Sequence, residues 1–582
     1  VSGLFGVFSF DSERRIDSRP LFRAARSIPH RDRESYDEAG LSWVVQAGTR
    51  PASSSEDVEG RVKAAVVGRF DDRQRLADEL RRLGHEVGGR EAELAVAAYR
   101  AWGSDLLTHL TGRFALAVYD AKVRAVLLAR DDVGHWPLYY RVGSHDVAFS
   151  TRLQTLLDAG LAERVLDPEG AASYFRLGYI PSPRTAVRDV RSLPLGAHAV
   201  IRTDRVFTRR HHAVDFGIQD EATSLEDQLT RAESRVESTL RAIDEPSEIW
   251  LEPNLPTVVL AAIAGRARGR NVDTVAPDDG DERSARVAHR LGSRHRTVPV
   301  SPDLDDLVRL VGVLDQPFAD PRWLVRDALG RTAEGLLISD VGARALFAAN
   351  PRYADALTLD VVRRALPEAL ASFTPDLTLS LETVVRAPCW PASPKGLNED
   401  FSKTVRGLRG PELDTRADPL AALQAADLRY GTVDAELDAI SSWSCWLGVE
   451  VVTPYLDRGV IDIASRLPSR GRLEGREVGA GLFRLARRML PGRLTREDLG
   501  DWRPPVGDWM RRELREAAEM AFFGAPGGLS GLLDPIALRR TWYAHQLGWA
   551  DHGPWLFALF TFELWAQSAL SERTDDPGAR VD

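Results

Sequence analysis

The sequence predicts an α/β protein in two parts: a layered sandwich with sheets inside and helices outside, then a parallel sheet flanked by helices. Three observations carry that prediction. Short alternating or apolar runs dominate up to about residue 210. Beyond about residue 220, brief apolar strands alternate with helical patterns, the arrangement that gives a parallel sheet. The last stretch is apolar with helical spacing and carries Trp542, Trp549, Trp555 and Trp565, for which core packing is the default and an exposed subset would mark an interface. With 582 residues, 44% of them hydrophobic, the chain has enough material for two or three substantial cores.

In the first half, Leu4 to Phe10, Lys63 to Val67, Phe114 to Tyr119, Ala125 to Ala129 and Val147 to Phe149 read as strands. Between them, Arg73 to Leu83 and Ala92 to Trp102 space their apolar residues as helices do, with Gly84 as a C-cap. Residues 209–222 form the junction, and a charged helix runs from Leu225 to Ala242. Glu248 to Leu251 reads as a buried strand and Val258 to Ala264 as a helix stopped by Gly265. A strand at Val272 to Ala276 and a helix at Glu282 to Leu291 follow. Residues 375–420, punctuated by Pro375, Pro388, Pro391, Pro394, Pro411 and Pro419, read as holding a mobile loop.

A net charge of −9 and a pI near 5.9 give no reason to expect nucleic acid or an anionic membrane as partner. Two cysteines, Cys389 and Cys445, lie outside any CxxC pattern, which fits a reducing cytosol and excludes a disulfide frame and a cysteine zinc site. No apolar run reaches about 18 residues and no signal peptide is apparent, so the expectation is a cytoplasmic protein, bacterial by its arginine-rich bias.

Three stretches carry a resemblance in the first half: Ser2 to Val7, Gly112 to Asp120 and Ala129 to Tyr140. They resemble the class II glutamine amidotransferase domain, an αββα sandwich of the N-terminal nucleophile (Ntn) type, over residues 1–210; a fourth, Gly178 to Pro183 with Leu193 to Gly196, resembles the segment that leads from it to a synthetase domain. The resemblance implies a nucleophilic cysteine whose own α-amine serves as base; Ser2 holds that position. A substrate-gripping NGEIYN segment reads Val67-Gly68-Arg69-Phe70-Asp71-Asp72 here. An asparagine donor has become Val67 and a carboxylate has become Arg69. Glu91 keeps an acidic position and reads as an exposed charge at a helix start. The expectation is a domain that folds and does not hydrolyse glutamine.

In the second half, Asp281 to Arg283 with Arg286 to Gly292, Leu314 to Pro321 and Gly448 to Asp457 resemble the asparagine synthetase family, whose adenine-nucleotide α-hydrolase (PP-loop) domain with C-terminal helices would occupy residues 220–582. The resemblance implies ATP and Mg²⁺ as cofactors and an SGGxDSS loop for pyrophosphate. Such a loop binds anions through backbone N–H groups, hydroxyls and the positive end of the following helix. This chain puts Glu252 at the first Ser, Pro253 and Asn254 at the two Gly, and Pro256 at the Asp; Thr257 keeps a hydroxyl. Prolines delete N–H donors. The family's carboxylates for Mg²⁺ fall on Ser339 to Ala345, where Val341 and Ala345 replace acids, Arg344 reverses a charge, and Asp340 is either a displaced acid or a helix cap. The family lysine against the leaving pyrophosphate is Ala480, four residues before a retained Arg484, and Gln316 replaces a usual Glu. His211 and His212 read as solvated junction residues; His289 and His295 read as packing or surface residues.

Three sites that share one chemistry have changed together while packing motifs persist. The reading is an asparagine-synthetase-like protein without catalysis: a scaffold or regulatory partner of an intact paralogue or of a second copy, with no ATP, Mg²⁺ or other metal expected. The alternative is a divergent ATP-dependent amide ligase without glutaminase activity, similar to lasso-peptide macrolactam cyclases or β-lactam synthetases. A third reading is a binding module that holds a peptide or small acid between the domains.

Overall fold

The structure is a computed structural model. It describes the chain apart from residues 1, 12–15, 27–31, 39, 49–50, 204, 270–271, 279–281, 366–381, 388–395, 409, 411–417, 476, 491–497, 501, 525–526 and 572–582.

Two six-stranded antiparallel sheets form the first half. One carries, in spatial order, Val190–Ser192, Tyr139–Val142, Asp146–Ser150, Gly3–Ser9, Leu41–Ala47 and Asp32–Glu38. The other carries Arg205–Arg210, Ala197–Arg202, Ala125–Arg130, Gly112–Asp120, Val62–Phe70 and Ala52–Glu56. The two-residue period of a strand decides how they stack. Along Val62–Phe70, Ala65 and Val67 meet Leu4, Phe8, Trp43 and Val45 between the sheets. The alternate residues Val62, Ala64 and Val66 pack with Leu76, Leu80, Ala92 and Ala95 of helices Arg73–Arg82 and Glu91–Trp102. On the far side, Phe5, Val7 and Val44 cover Leu21 and Ala25 of helix Arg19–Arg26. The result is the expected αββα sandwich.

The second half is built on a parallel sheet ordered Arg294–Pro299, Asp273–Asp278, Ser247–Trp250, Leu336–Ile338, Val451–Val452. In chain order these are its third, second, first, fourth and fifth strands. Connections from the first strand and to the fourth leave in opposite directions, which opens a crevice at their carboxyl ends. Helix Leu255–Arg268 continues past the expected stop at Gly265. A Cβ at Gly265 would meet only Val272 Cγ2 at 3.8 Å, so nothing there breaks the helix; Gly269, with φ 57°, ends it. Helix Arg283–Leu291 ends at Gly292, φ 66°, as expected, while Asp281 lies outside the described residues.

Half of the stretch 375–420, expected to hold a loop, lies outside the described residues. Within it, Asn398 caps helix Glu399–Gly407, and Pro419 opens helix Pro419–Ala426 after the cap Asp418, so that proline starts an element instead of interrupting one. The next eleven residues, Asp427–Leu437, continue in wide π-helical turns.

Buried polar contacts join the two halves. Arg130 bonds Asp438; Arg152 Nε donates to Asp315 at 2.9 Å; Ser182 donates to Asp434 through N and Oγ at 2.9 and 3.0 Å. Gln316 Oε1 accepts from Ala186 N at 2.9 Å. Cys445 is free and inserts from the second half into the core between the sheets; Cys389 lies outside the described residues. Among the described residues no helix is long and apolar enough to cross a membrane.

Candidate functional site

A cleft of about 320 Å³ opens at the crevice. Glu252 follows the first parallel strand into it; Asp340, Val341 and Arg344 follow the fourth; Arg322, Arg326, Trp502 and the π-helical residues Gly431, Thr432 and Glu436 are among the others that line it.

The loop after the first strand is closed by its own side chains. Asn254 caps helix Leu255–Arg268: its Oδ1 accepts from Thr257 N and Thr257 Oγ1, both at 3.0 Å, and its carbonyl accepts from Val258 N at 3.1 Å. Pro256 has no N–H, and its carbonyl accepts the Tyr455 hydroxyl at 3.0 Å. The carbonyl of Pro253 accepts from Gly500 N at 2.7 Å. Of the amides that would form an anion cradle, those of Asn254, Thr257 and Val258 are engaged by the chain itself and that of residue 256 is missing.

Glu252 stands in a ring of cations, 3.9 Å from Arg322, 3.7 Å from Arg326 and 3.9 Å from Arg344. Arg322 also bonds Asp320 at 2.7 Å, and Arg326 bonds Glu436 at 2.5 Å between the faces of Trp250 and Trp323. Three guanidiniums thus face four carboxylates once Asp340 is counted. Asp340 is the one left over: burial, then repulsion from Glu252, pushes its pKa up to about 6. Its hydrogen bonding agrees. Thr257 Oγ1 lies 2.9 Å from Asp340 Oδ2 and 3.0 Å from Asn254 Oδ1, yet a hydroxyl carries one hydrogen. Below about pH 6 a protonated Asp340 donating to Thr257, which donates to Asn254, satisfies all three. Asp340 is therefore a displaced acid in the cleft and not a helix cap; helix Ala343–Leu346 begins at Gly342 without a side-chain cap.

The remaining changed positions are filled with packing. Val341 is buried on the cleft wall, and Ala345 is wholly buried, its carbonyl accepting from Gln424 Nε2 at 2.8 Å. Ala480, also buried, begins helix Ala480–Met489 and lies outside the cleft lining; Arg484 is 3.3 Å from Glu474. Among the described residues no cluster of His, Cys, Asp or Glu is arranged to hold a metal ion.

In the sandwich, Ser2 is buried at the start of its strand, with Oγ accepting from Gly48 N at 3.0 Å and its carbonyl 3.8 Å from Cys445 Sγ. Val67 is sealed between the sheets, whereas Arg69 is exposed. Glu91 is not an exposed charge: it is buried, 3.3 Å from Arg73, because its helix start is covered by the sandwich. Nor is His211 solvated; its side chain is 5% exposed and 3.5 Å from Asp132, while His212 is more open. His289 is exposed, and His295 Nδ1 shares a 3.0 Å hydrogen bond with Thr274, in line with surface and packing roles. Sequence reasoning missed Arg322, Arg326 and Glu436. The arginine pair had a signal: two cations four apart on one helical face directly after Asp320-Pro321.

The sandwich and the parallel-sheet unit together define an amidotransferase-type domain joined to a synthetase-type domain. A glutamine amidotransferase domain profile matches residues 44–212, and an asparagine synthase profile matches residues 258–567, more than half of the chain. The protein belongs to the asparagine synthase family. A putative glutamine-hydrolysing asparagine synthetase of Mycobacterium tuberculosis H37Rv is 27% identical over 546 residues, covering 84% of this chain and 82% of its own. Asparagine synthetase B of Escherichia coli K12 is 22% identical over 488 residues, covering 82% of this chain and 76% of its own. Among solved structures, the Bacillus subtilis glutamine PRPP amidotransferase with ADP and GMP superposes with a TM-score of 0.27 at 11% identity, covering 60% of this chain and 77% of that one, a likeness too weak to argue from.

Proposed function

We propose that this protein is a catalytically inactive member of its family, a cytoplasmic scaffold or regulatory partner in amide-forming metabolism, with residues 1–210 and 220–582 as its two units. One observation carries the reading: at the opening of helix Leu255–Arg268 the amides of Thr257 and Val258 are bonded to Asn254 and Pro256 has none, which removes most of the donors a phosphate cradle needs. Two others support it. The pocket beside the first two parallel strands, lined by Trp250, Val275 and Trp502, holds about 20 Å³, room for roughly one water and not for a nucleotide base. Val341 and Ala345 supply no oxygen ligand for Mg²⁺. In the sandwich, losing even one oxyanion donor costs about 10²–10³ in rate, and both Val67 and Arg69 depart from the family's grip.

A partner explains a maintained fold around altered sites, and the partner of choice is an intact paralogue or a second copy of this chain. The test is co-expression with neighbouring genes, pull-down, and thermal shift with ATP–Mg²⁺. A shift with ATP–Mg²⁺, or deletion of the gene without effect on the pathway product, refutes the reading. The second reading, a divergent ATP-dependent amide ligase of macrolactam- or β-lactam-forming type, is favoured by the open cleft and by a carboxyl group, Asp340, poised for proton transfer. ATP-dependent cyclisation of a neighbouring precursor would establish it.

A further inference from the structure

Helix Pro535–Gln546 is apolar on two opposite faces, and among the described residues only one of them is covered. Leu538, Trp542 and His545 point inward, with Trp542 against Phe522 and Phe523 and with His545 bonded to the Gly507 carbonyl. Ile536, Tyr543 and Leu547 recur at spacings that stack them on the other face, where they are 72%, 50% and 60% exposed. Trp549 follows the left-handed Gly548, and its backbone N–H donates to Ala544 O at 2.9 Å, which fixes the chain of this 78% exposed residue at the same end as Leu547. A helix apolar on both faces belongs in a core unless something covers the second one.

Charge says what covers it. Arg540 lies inside the stripe, four residues after Ile536 and three before Tyr543, and is exposed, as is Arg539. The helix contains no acid. The acids flanking it are engaged: Asp534 caps the helix by accepting from Ile536 N at 2.8 Å, and Asp551 accepts from Gly553 N and lies 3.4 Å from His545. Tryptophan, tyrosine and arginine among aliphatic residues are the composition of an interface centre.

We propose that this face docks an amphipathic helix of a different protein, one whose apolar side carries an acidic residue opposite Arg540. A second copy is a poor occupant, because a two-fold contact sets the patch against itself and brings Arg539 and Arg540 of both copies together without an acid between them. The proposal rests on the reading that the protein works through protein contacts.

The test uses two labelled helical peptides of about 18 residues, five turns. Both have a Leu/Trp stripe; one has Glu and the other Lys at its centre. Fluorescence anisotropy with the full chain should show the Glu peptide binding at least tenfold more tightly than the Lys peptide. Leu547→Asp and Trp549→Ala should abolish that binding, and Arg540→Glu should invert the preference. These positions are exposed, so an unchanged melting temperature certifies each fold. Equal affinity for the two peptides, or no inversion in Arg540→Glu, overturns the proposal. So does self-association lost in Leu547→Asp, which makes the occupant a second copy, or sedimentation with phosphatidylglycerol vesicles lost in Leu547→Asp, which makes it a membrane. If a neighbour co-purifies equally with wild type and Leu547→Asp, the surface assignment fails while the scaffold reading stands. If the peptide binds as stated but no neighbour co-purifies, the reverse holds.

Discussion

Glu252 and Asp340 meet across the crevice of the parallel sheet, one carried by the loop after its first strand and the other by the loop after its fourth, and repulsion from Glu252 adds to burial in raising the Asp340 pKa to about 6. The relationship follows from counting charges. Arg322, Arg326 and Arg344 balance three carboxylates, and the fourth takes up a proton below about pH 6, well above the usual carboxylate range, because ionising is costly in a partly desolvated site.

This coupling gives stability a pH dependence of known sign. Asp340 has a higher pKa folded, about 6, than unfolded, so between the unfolded carboxylate value and about 6 the native state binds more protons. Its contribution is present at low pH, is lost as pH rises through about 6, and is flat above. Asp340→Asn should flatten the fall in melting temperature over that window relative to wild type. Glu252→Gln should lower the Asp340 pKa, moving the fall to lower pH. An Asp340→Asn curve parallel to wild type from pH 4 to 8 would sink the coupling.

The contact between the halves predicts an asymmetry. Arg130 is buried and cannot shed its charge, whereas burial raises the Asp438 pKa to about 7 against the opposing pull of Arg130. Arg130→Met leaves Asp434 and Asp438 buried without that cation and should cost about 3–5 kcal/mol, the usual result of removing one partner from a buried pair. Asp438→Glu, which keeps the charge, should cost clearly less. Urea unfolding at pH 7.5 measures both, and equal losses would show that Arg130 acts by packing alone.

The helix opening is predicted to behave as an ordinary cap. Asn254→Ala removes the acceptor for Thr257 N and Oγ1 and should cost about 1 kcal/mol. Asn254→Gly should cost only a few tenths. A gain of ATP–Mg²⁺ binding in Asn254→Gly would mean that the loop is a cradle held shut by one side chain, contrary to the role given to Pro256.

The limits of the sequence are visible residue by residue. Helix Leu255–Arg268 was legible from its apolar run, but its end was not, because Gly265 fits inside a helix where nothing crowds it and only backbone φ distinguishes it from Gly269. The strands of the two sheets that alternate cleanly, such as Val62–Phe70, were legible. Asp32–Glu38 was not, since its charged, partly exposed sequence gives an edge strand no apolar period. At the site, the altered loop residues could be read one by one. The ring around Glu252 could not, because Arg322 and Arg344 come from separate helices and only the fold brings them to one carboxylate. Burial of Glu91 and His211 is likewise a tertiary fact: each sits where a neighbouring layer covers it.

The sandwich supplies the last prediction. If Ser2 were the only departure from glutaminase chemistry, Ser2→Cys would restore it, since a thiolate is much the stronger nucleophile. The surroundings argue otherwise. Ser2 is buried with its hydroxyl accepting from Gly48, Val67 presents a methyl pair to the core where an amide donor is needed, and Arg69 brings a cation where the resemblance calls for a carboxylate facing the substrate amine. A lost oxyanion donor alone costs about 10²–10³ in rate, and a reversed charge in the grip acts on binding as well. Wild type, Ser2→Ala and Ser2→Cys should therefore all release glutamate from glutamine at the background rate. Only a variant that also carries Val67→Asn and Arg69→Glu has the groups to do better, and burying the new asparagine between the sheets should lower its melting temperature. Glutamate release by Ser2→Cys alone would show that the pocket is intact and that one atom separates this chain from an active glutaminase.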